Sequence, residues 1–76
     1  MNVNKALEEA IKSSGVSKYA IGQKLGRSRN YIYNLFQRDA IPTFATVASI
    51  ADACGFDVTL TSRDGEHTII IDPPTE

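Results

Sequence analysis

Seven consecutive residues, Ser28-Arg29-Asn30-Tyr31-Ile32-Tyr33-Asn34, are dense in side chains able to bond to the edges of nucleic-acid bases. Arginine can donate two bonds to guanine O6 and N7, and asparagine can pair with adenine N6 and N7. On a helix Asn30 and Asn34 fall four apart, with Tyr33 beside them on the same exposed arc, while Ile32 and Leu35 take the opposite face.

The charge around this stretch is one-sided. Between Lys12 and Arg38 there are six basic residues (Lys12, Lys18, Lys24, Arg27, Arg29, Arg38) and no acidic one. Residues 39–76 hold Asp39, Asp52, Asp57, Asp64, Glu66, Asp72 and Glu76 against a lone Arg63, so a formal net charge of -1 hides a polarised molecule. Clustered Lys and Arg repel one another unless a polyanion such as a phosphate backbone joins them.

The elements that position these residues follow from periodicity. Val3, Leu7, Ala10 and Ile11 recur at helical spacing over 3–14, and Gly15 ends that helix. Ser17 is an N-cap for a second helix carrying Ala20, Ile21 and Leu25, with Gly26 at its stop. Ser28 can cap a third, burying Ile32, Leu35 and Phe36, and Thr43 a fourth, reading Phe44, Val47, Ala48, Ile50, Ala51 and Cys54. After Gly55 the period changes to 2, and Asp64-Gly65 predicts a two-residue type I′ hairpin turn. That turn pairs Leu60 with Ile69 and Val58 with Ile71 on an apolar side expected to cover the helices, and Thr59 with Ile70 and Arg63 with Glu66 on the other. The expectation is a mainly α fold of four to five helices with a C-terminal β-hairpin: a helical unit over 1–55, a hairpin over 56–72 and a loose tail over 73–76.

The link Gly26-Arg27-Ser28 is very short, and Gly22 offers no side chain where the second and third helices must cross. With Ile21, Leu25, Ile32 and Leu35 to lock the pair, this is the logic of a helix-turn-helix. The pattern Ser17-Lys18-Tyr19-Ala20-Ile21-Gly22-Gln23-Lys24-Leu25-Gly26, then Ser28 to Leu35, then Pro42-Thr43, resembles the lambda-repressor-like, repressor/Cro-type (XRE-like) helix-turn-helix family over roughly residues 5–58. Three positions depart from it: Gly22, where alanine is more frequent; Arg27, where an apolar residue is common; and Phe36-Gln37-Arg38, in place of the usual Glu-Arg-Gly.

The resemblance implies a double-stranded DNA-binding transcriptional regulator, a small phage-type or bacterial repressor. It places base reading on Arg29, Asn30 and Asn34, with Ser28 and Tyr33 flanking, and backbone phosphate contact on Lys18. Arg27, Tyr31 and Arg38 are further phosphate candidates by charge, hydrogen-bonding capacity and position. The bland alternatives are a solvated helix face for Arg29, Asn30 and Asn34, packing of Tyr31 and Tyr33 against the loop before Pro42, and a merely solubilising Lys24. A rival role is an antitoxin or antirepressor that engages a protein partner through its acidic half; another is a structural helper that no longer touches DNA.

Other classes find little support. The lone Cys54 and lone His67 lie on different elements, no cluster has metal-ligand spacing, and there is no Gly-rich phosphate loop, so no catalysis, cofactor, metal or small-molecule substrate is expected. A single cysteine in an apolar helical pattern, no apolar leader and no run long enough for a membrane point to the cytoplasm. A two-stranded hairpin is marginal alone and a core of this size is small. A homodimer joined through residues 56–71 is therefore expected, with Val58, Leu60, Ile69, Ile70 and Ile71 at the interface; pairing through the fourth helix is the alternative.

Overall fold

A computed structural model describes residues 2–38 and 40–73. Within them the chain forms α1 (Val3–Ser14), α2 (Lys18–Lys24), α3 (Tyr31–Gln37), α4 (Phe44–Ala53), β1 (Val58–Thr61) and β2 (Thr68–Ile71). Nearly all of the tail expected over 73–76 lies outside the described residues.

Each helix begins where a polar side chain can take up free backbone N–H groups, except α3. Asn2 Oδ1 accepts from the Lys5 N–H (2.8 Å), Ser17 Oγ from Ala20 (3.0 Å) and Thr43 Oγ1 from Thr46 (3.3 Å). Gly15 stops α1 in the left-handed conformation at φ 74°. Leu7 and Ile11 of α1 meet Ile21, Ile32, Ile50 and Cys54 in one core, against which Val16, Leu25, Tyr31, Leu35, Phe36 and Val47 pack. α4 lies in the middle of this arrangement, touching both α1 and α2, and α3 is held chiefly by α2. Burial pushes the Cys54 thiol above its ordinary pKa, so it stays protonated as a small apolar core residue.

The third helix starts later than Ser28 implies. Its N-cap position is Asn30, with no side-chain cap, and it is the Ser28 carbonyl that accepts the Tyr31 N–H (3.1 Å). That carbonyl lies directly against Gly22: a β-carbon there would sit 2.9 Å from it. Arg27 N–H also donates to the Gly22 carbonyl (2.8 Å), so residue 22 is clasped by the turn on two sides. In an open helix Gly→Ala would gain about 1 kcal/mol; here the overlap with backbone costs about 1–3 kcal/mol. Gly22→Ala should therefore lower stability by about 1 kcal/mol, several degrees in a thermal melt. A raised midpoint would mean that the turn relaxes freely.

The strand register is the expected one, Val58↔Ile71, Thr59↔Ile70, Leu60↔Ile69 and Thr61↔Thr68. The turn differs. Type I′ needs positive φ at both central residues, but only Gly65 (φ 78°) has it. Gly65 N–H closes on the Ser62 carbonyl (2.9 Å) and Ser62 N–H reaches the His67 carbonyl (2.9 Å), so Arg63 to Glu66 form a four-residue loop and Arg63 and Glu66 are not a strand pair. The cause is the Asp64 carboxylate, which accepts from the Ser62 hydroxyl and the Glu66 N–H and thereby orders the loop around itself. These bonds hold its pKa below the ordinary carboxylate value.

A second correction concerns the apolar side of the hairpin. It covers the helices little: Val58 and Ile71 at the open end are half-buried, but Leu60 and Ile69 are each 61% exposed, and neither strand packs substantially on a helix. The hairpin projects from the helical body, whose overall extents with it are 40 × 27 × 23 Å.

Candidate nucleic-acid interface

The helix-turn-helix presents its polar side chains by anchoring the opposite ones. Ile21 on α2 and Ile32 on α3 are both completely buried, which fixes the rotation of each helix about its axis. Ser28, Arg29, Asn30, Tyr33 and Asn34 are consequently all exposed on the outer side. They divide between two kinds of backbone. Ser28, Arg29 and Asn30 lie in the turn before α3, whereas Tyr33 and Asn34 are on the helix itself. Asn34 N–H donates to the Asn30 carbonyl (2.9 Å), so the two asparagines keep the one-turn relation expected of them.

The basic residues are placed by aromatic rings. Lys18, the first residue of α2, holds its ammonium 4.8 Å from the centre of the Tyr33 ring and 5.5 Å from that of Phe36. Such contacts draw a cation to the electron-rich ring face, and here they tie the start of α2 to α3. Phe36, one of the residues that depart from the family pattern, thus serves the helix pair instead of disrupting it. Arg27 lies 5.4 Å from the Tyr31 ring, and Arg29 5.4 Å from the Tyr19 ring. Arg38, which follows α3 immediately, is exposed. Ser28, Tyr31, Asn34, Leu35 and Arg38 line one shallow concavity, which brings two candidate reading residues beside two candidate phosphate contacts.

Of the two tyrosines with a packing alternative, Tyr31 is partly buried against the core while Tyr33 is 53% exposed. Lys24 is more than a solubilising charge, since its ammonium donates to the Ala53 carbonyl (3.4 Å) at the end of α4. That contact also places a cation near the negative end of a helix dipole. Tyr19 was absent from the residues expected at the site. Its signal in the sequence is the Tyr19/Gln23 pair, four apart on the polar side of α2, where a large ring has no core to enter.

A tight turn between two short helices, with the second showing polar groups outward beside clustered cations, defines a helix-turn-helix unit for binding DNA. The family model described as a helix-turn-helix domain matches residues 7–63, three quarters of the chain. The chain belongs to that family, in its repressor/Cro-like form, a type of DNA-binding regulator. No curated protein and no solved structure matches it. Among the described residues no helix is long and apolar enough to cross a membrane, and no three His, Cys, Asp or Glu side chains gather where they could hold a metal ion.

Proposed function

We propose that the chain is a sequence-specific double-stranded DNA-binding repressor of transcription that grips a near-palindromic operator as a homodimer. The observation that carries this reading is the outward display of Ser28, Arg29, Asn30, Tyr33 and Asn34 over a fully buried Ile32. Arg29 and the two asparagines read base edges, with Ser28 and Tyr33 flanking; Lys18, Arg27, Tyr31 and Arg38 meet the phosphates on either side. The working division is a reading unit over 1–55 and a pairing hairpin over 56–72. Val58, Leu60, Ile69, Ile70 and Ile71 join the hairpin to its copy, and this is supported by the apolar surface that the helices leave uncovered. α4 is a poorer interface, because Ala48, Ile50 and Ala51 are already in the core. A dyad of this kind sets the two reading helices roughly 34 Å apart, one turn of DNA.

Selection from a random duplex pool tests the assignment. Arg29→Ala and Asn34→Ala should each cost about 1–3 kcal/mol on the preferred site and relax discrimination at one base pair. Lys18→Ala should weaken all duplexes alike and reduce the slope of log affinity against log salt by about 1. If Arg29→Ala and Asn34→Ala both keep wild-type affinity and base preference, the turn and α3 lose the reading role.

A protein partner of the antitoxin or antirepressor kind is the second reading. It is favoured by the uncovered Leu60, Ile69 and Ile70 within the acidic half of the chain. A gel-shift titration on the DNA upstream of the chain's own gene, at two salt concentrations, separates the two. A repressor shifts that DNA with a strong salt dependence, and a pure protein-interaction module does not.

A further inference from the structure

We infer that Tyr19 is a positioning residue for base recognition, holding the Arg29 guanidinium in the orientation that selects guanine; this rests on the reading of Arg29 given above. Arg29 stands in the turn before α3, where no helical hydrogen bonding orients its backbone, and its side chain is exposed. A long exposed arginine so placed can reach a phosphate as readily as a base edge. The Tyr19 ring reduces that freedom, with the guanidinium carbon 5.4 Å from its centre. The ring is itself held, because its hydroxyl accepts a hydrogen bond from Gln23 Nε2 (2.9 Å) one turn along α2. A ring contact of this kind holds the cation without the paired acceptors that a carboxylate would present, so the fork of N–H donors is not spent on an ion pair before it meets the O6 and N7 acceptors of guanine. An ion pair with a carboxylate would fix the arginine too, but would consume those same donors. The acid-free stretch from Lys12 to Arg38 offers none.

Tyr19 is 43% exposed, so its removal opens no cavity in the core. The test measures the affinity of the full chain for duplexes it selects from a random pool, for variants of them altered at each G·C pair, and for unselected duplex. Tyr19→Ala should reduce the preference for guanine at the pair read by Arg29 about two- to fivefold, the range of exposed cation–π contacts. Affinity for unselected duplex should stay unchanged. Tyr19→Phe, which keeps the ring but not its hydroxyl anchor to Gln23, should retain part of the preference, and Tyr19→Leu, which keeps bulk without the ring face, should lose it as alanine does. In an Arg29→Ala background Tyr19→Ala should add nothing. An additive double variant overturns the positioning role. So does equal weakening on selected and unselected duplex, or a phenylalanine variant as poor as alanine. If Arg29→Ala alone leaves the guanine preference intact, the reading of Arg29 fails first, and that outcome is distinct from a Tyr19 effect missing beside an intact Arg29 effect.

Discussion

Leu60→Asp is expected to leave a folded monomer that binds its operator at least about a hundredfold more weakly than the parent chain. Leu60 and its cross-strand partner Ile69 are 61% exposed and stand together on one face of the hairpin. A carboxylate there disturbs little in the protomer, because Leu60 is itself mostly exposed and the strands do not pack substantially on a helix. In a dimer the same carboxylate would be drawn out of water against Val58, Ile69 and Ile71 of the other copy, with no cation to meet it. Removing an apolar anchor and burying an unpaired charge each oppose association. The effect on DNA exceeds that on pairing alone. Two linked reading units bind the second half-site at a high effective concentration, an advantage of roughly 10²–10⁴ that a monomer forfeits. Sedimentation gives the mass and a gel shift on half and full sites gives the affinity. The chain cut after Asp57 should behave like the variant. Should either remain dimeric with undiminished affinity, pairing lies elsewhere.

The second large effect is on stability. Ile32→Ala should remove about 2–5 kcal/mol, since this side chain is completely buried and its loss leaves a cavity as well as forgone burial. A domain of this size has on the order of 4–11 kcal/mol in all, so the loss is a large fraction of the whole. Urea melts followed by far-UV circular dichroism measure the shift, whereas a loss under 1 kcal/mol would mean that Ile32 does not secure α3. Conversely, Asn34→Ala, two residues on and exposed, should leave the melt unchanged while damaging recognition. The contrast separates the two faces of one seven-residue helix.

Most of the frame was legible in the sequence because local chemistry decides it. Ser17 and Thr43 cap their helices, Gly15 and Gly26 end or break theirs, and the alternation after Gly55 marks the strands, with Asp64-Gly65 centring the hairpin in the observed register. The start of α3 was not. Ser28 and Asn30 are both good caps two residues apart, and neither side chain caps; the choice falls to the Ser28 carbonyl, lodged where Gly22 has no β-carbon. The hairpin turn was misjudged because Asp-Gly suits several turn types, and the Asp64 side chain selects the longer loop. Alternation also shows that a strand face is apolar without showing what covers it, so the exposure of Leu60 and Ile69 is not legible in the pattern. The placement of cations on Tyr19, Tyr31 and Tyr33 depends on contacts between elements, beyond the reach of any local pattern.

The fit of Gly22 against the Ser28 carbonyl bears on how this reading head could be exchanged for another. A helix-turn-helix with alanine at this position would have to hold its turn wider than this one, where an added β-carbon lies 2.9 Å from the Ser28 carbonyl oxygen. A recognition segment grafted from such a protein at Ser28 would meet a seat built for a closer approach, and its base-facing atoms would be displaced before any contact with DNA was made. The natural unit of transplantation therefore begins at residue 22, six positions ahead of the first side chain assigned to a base.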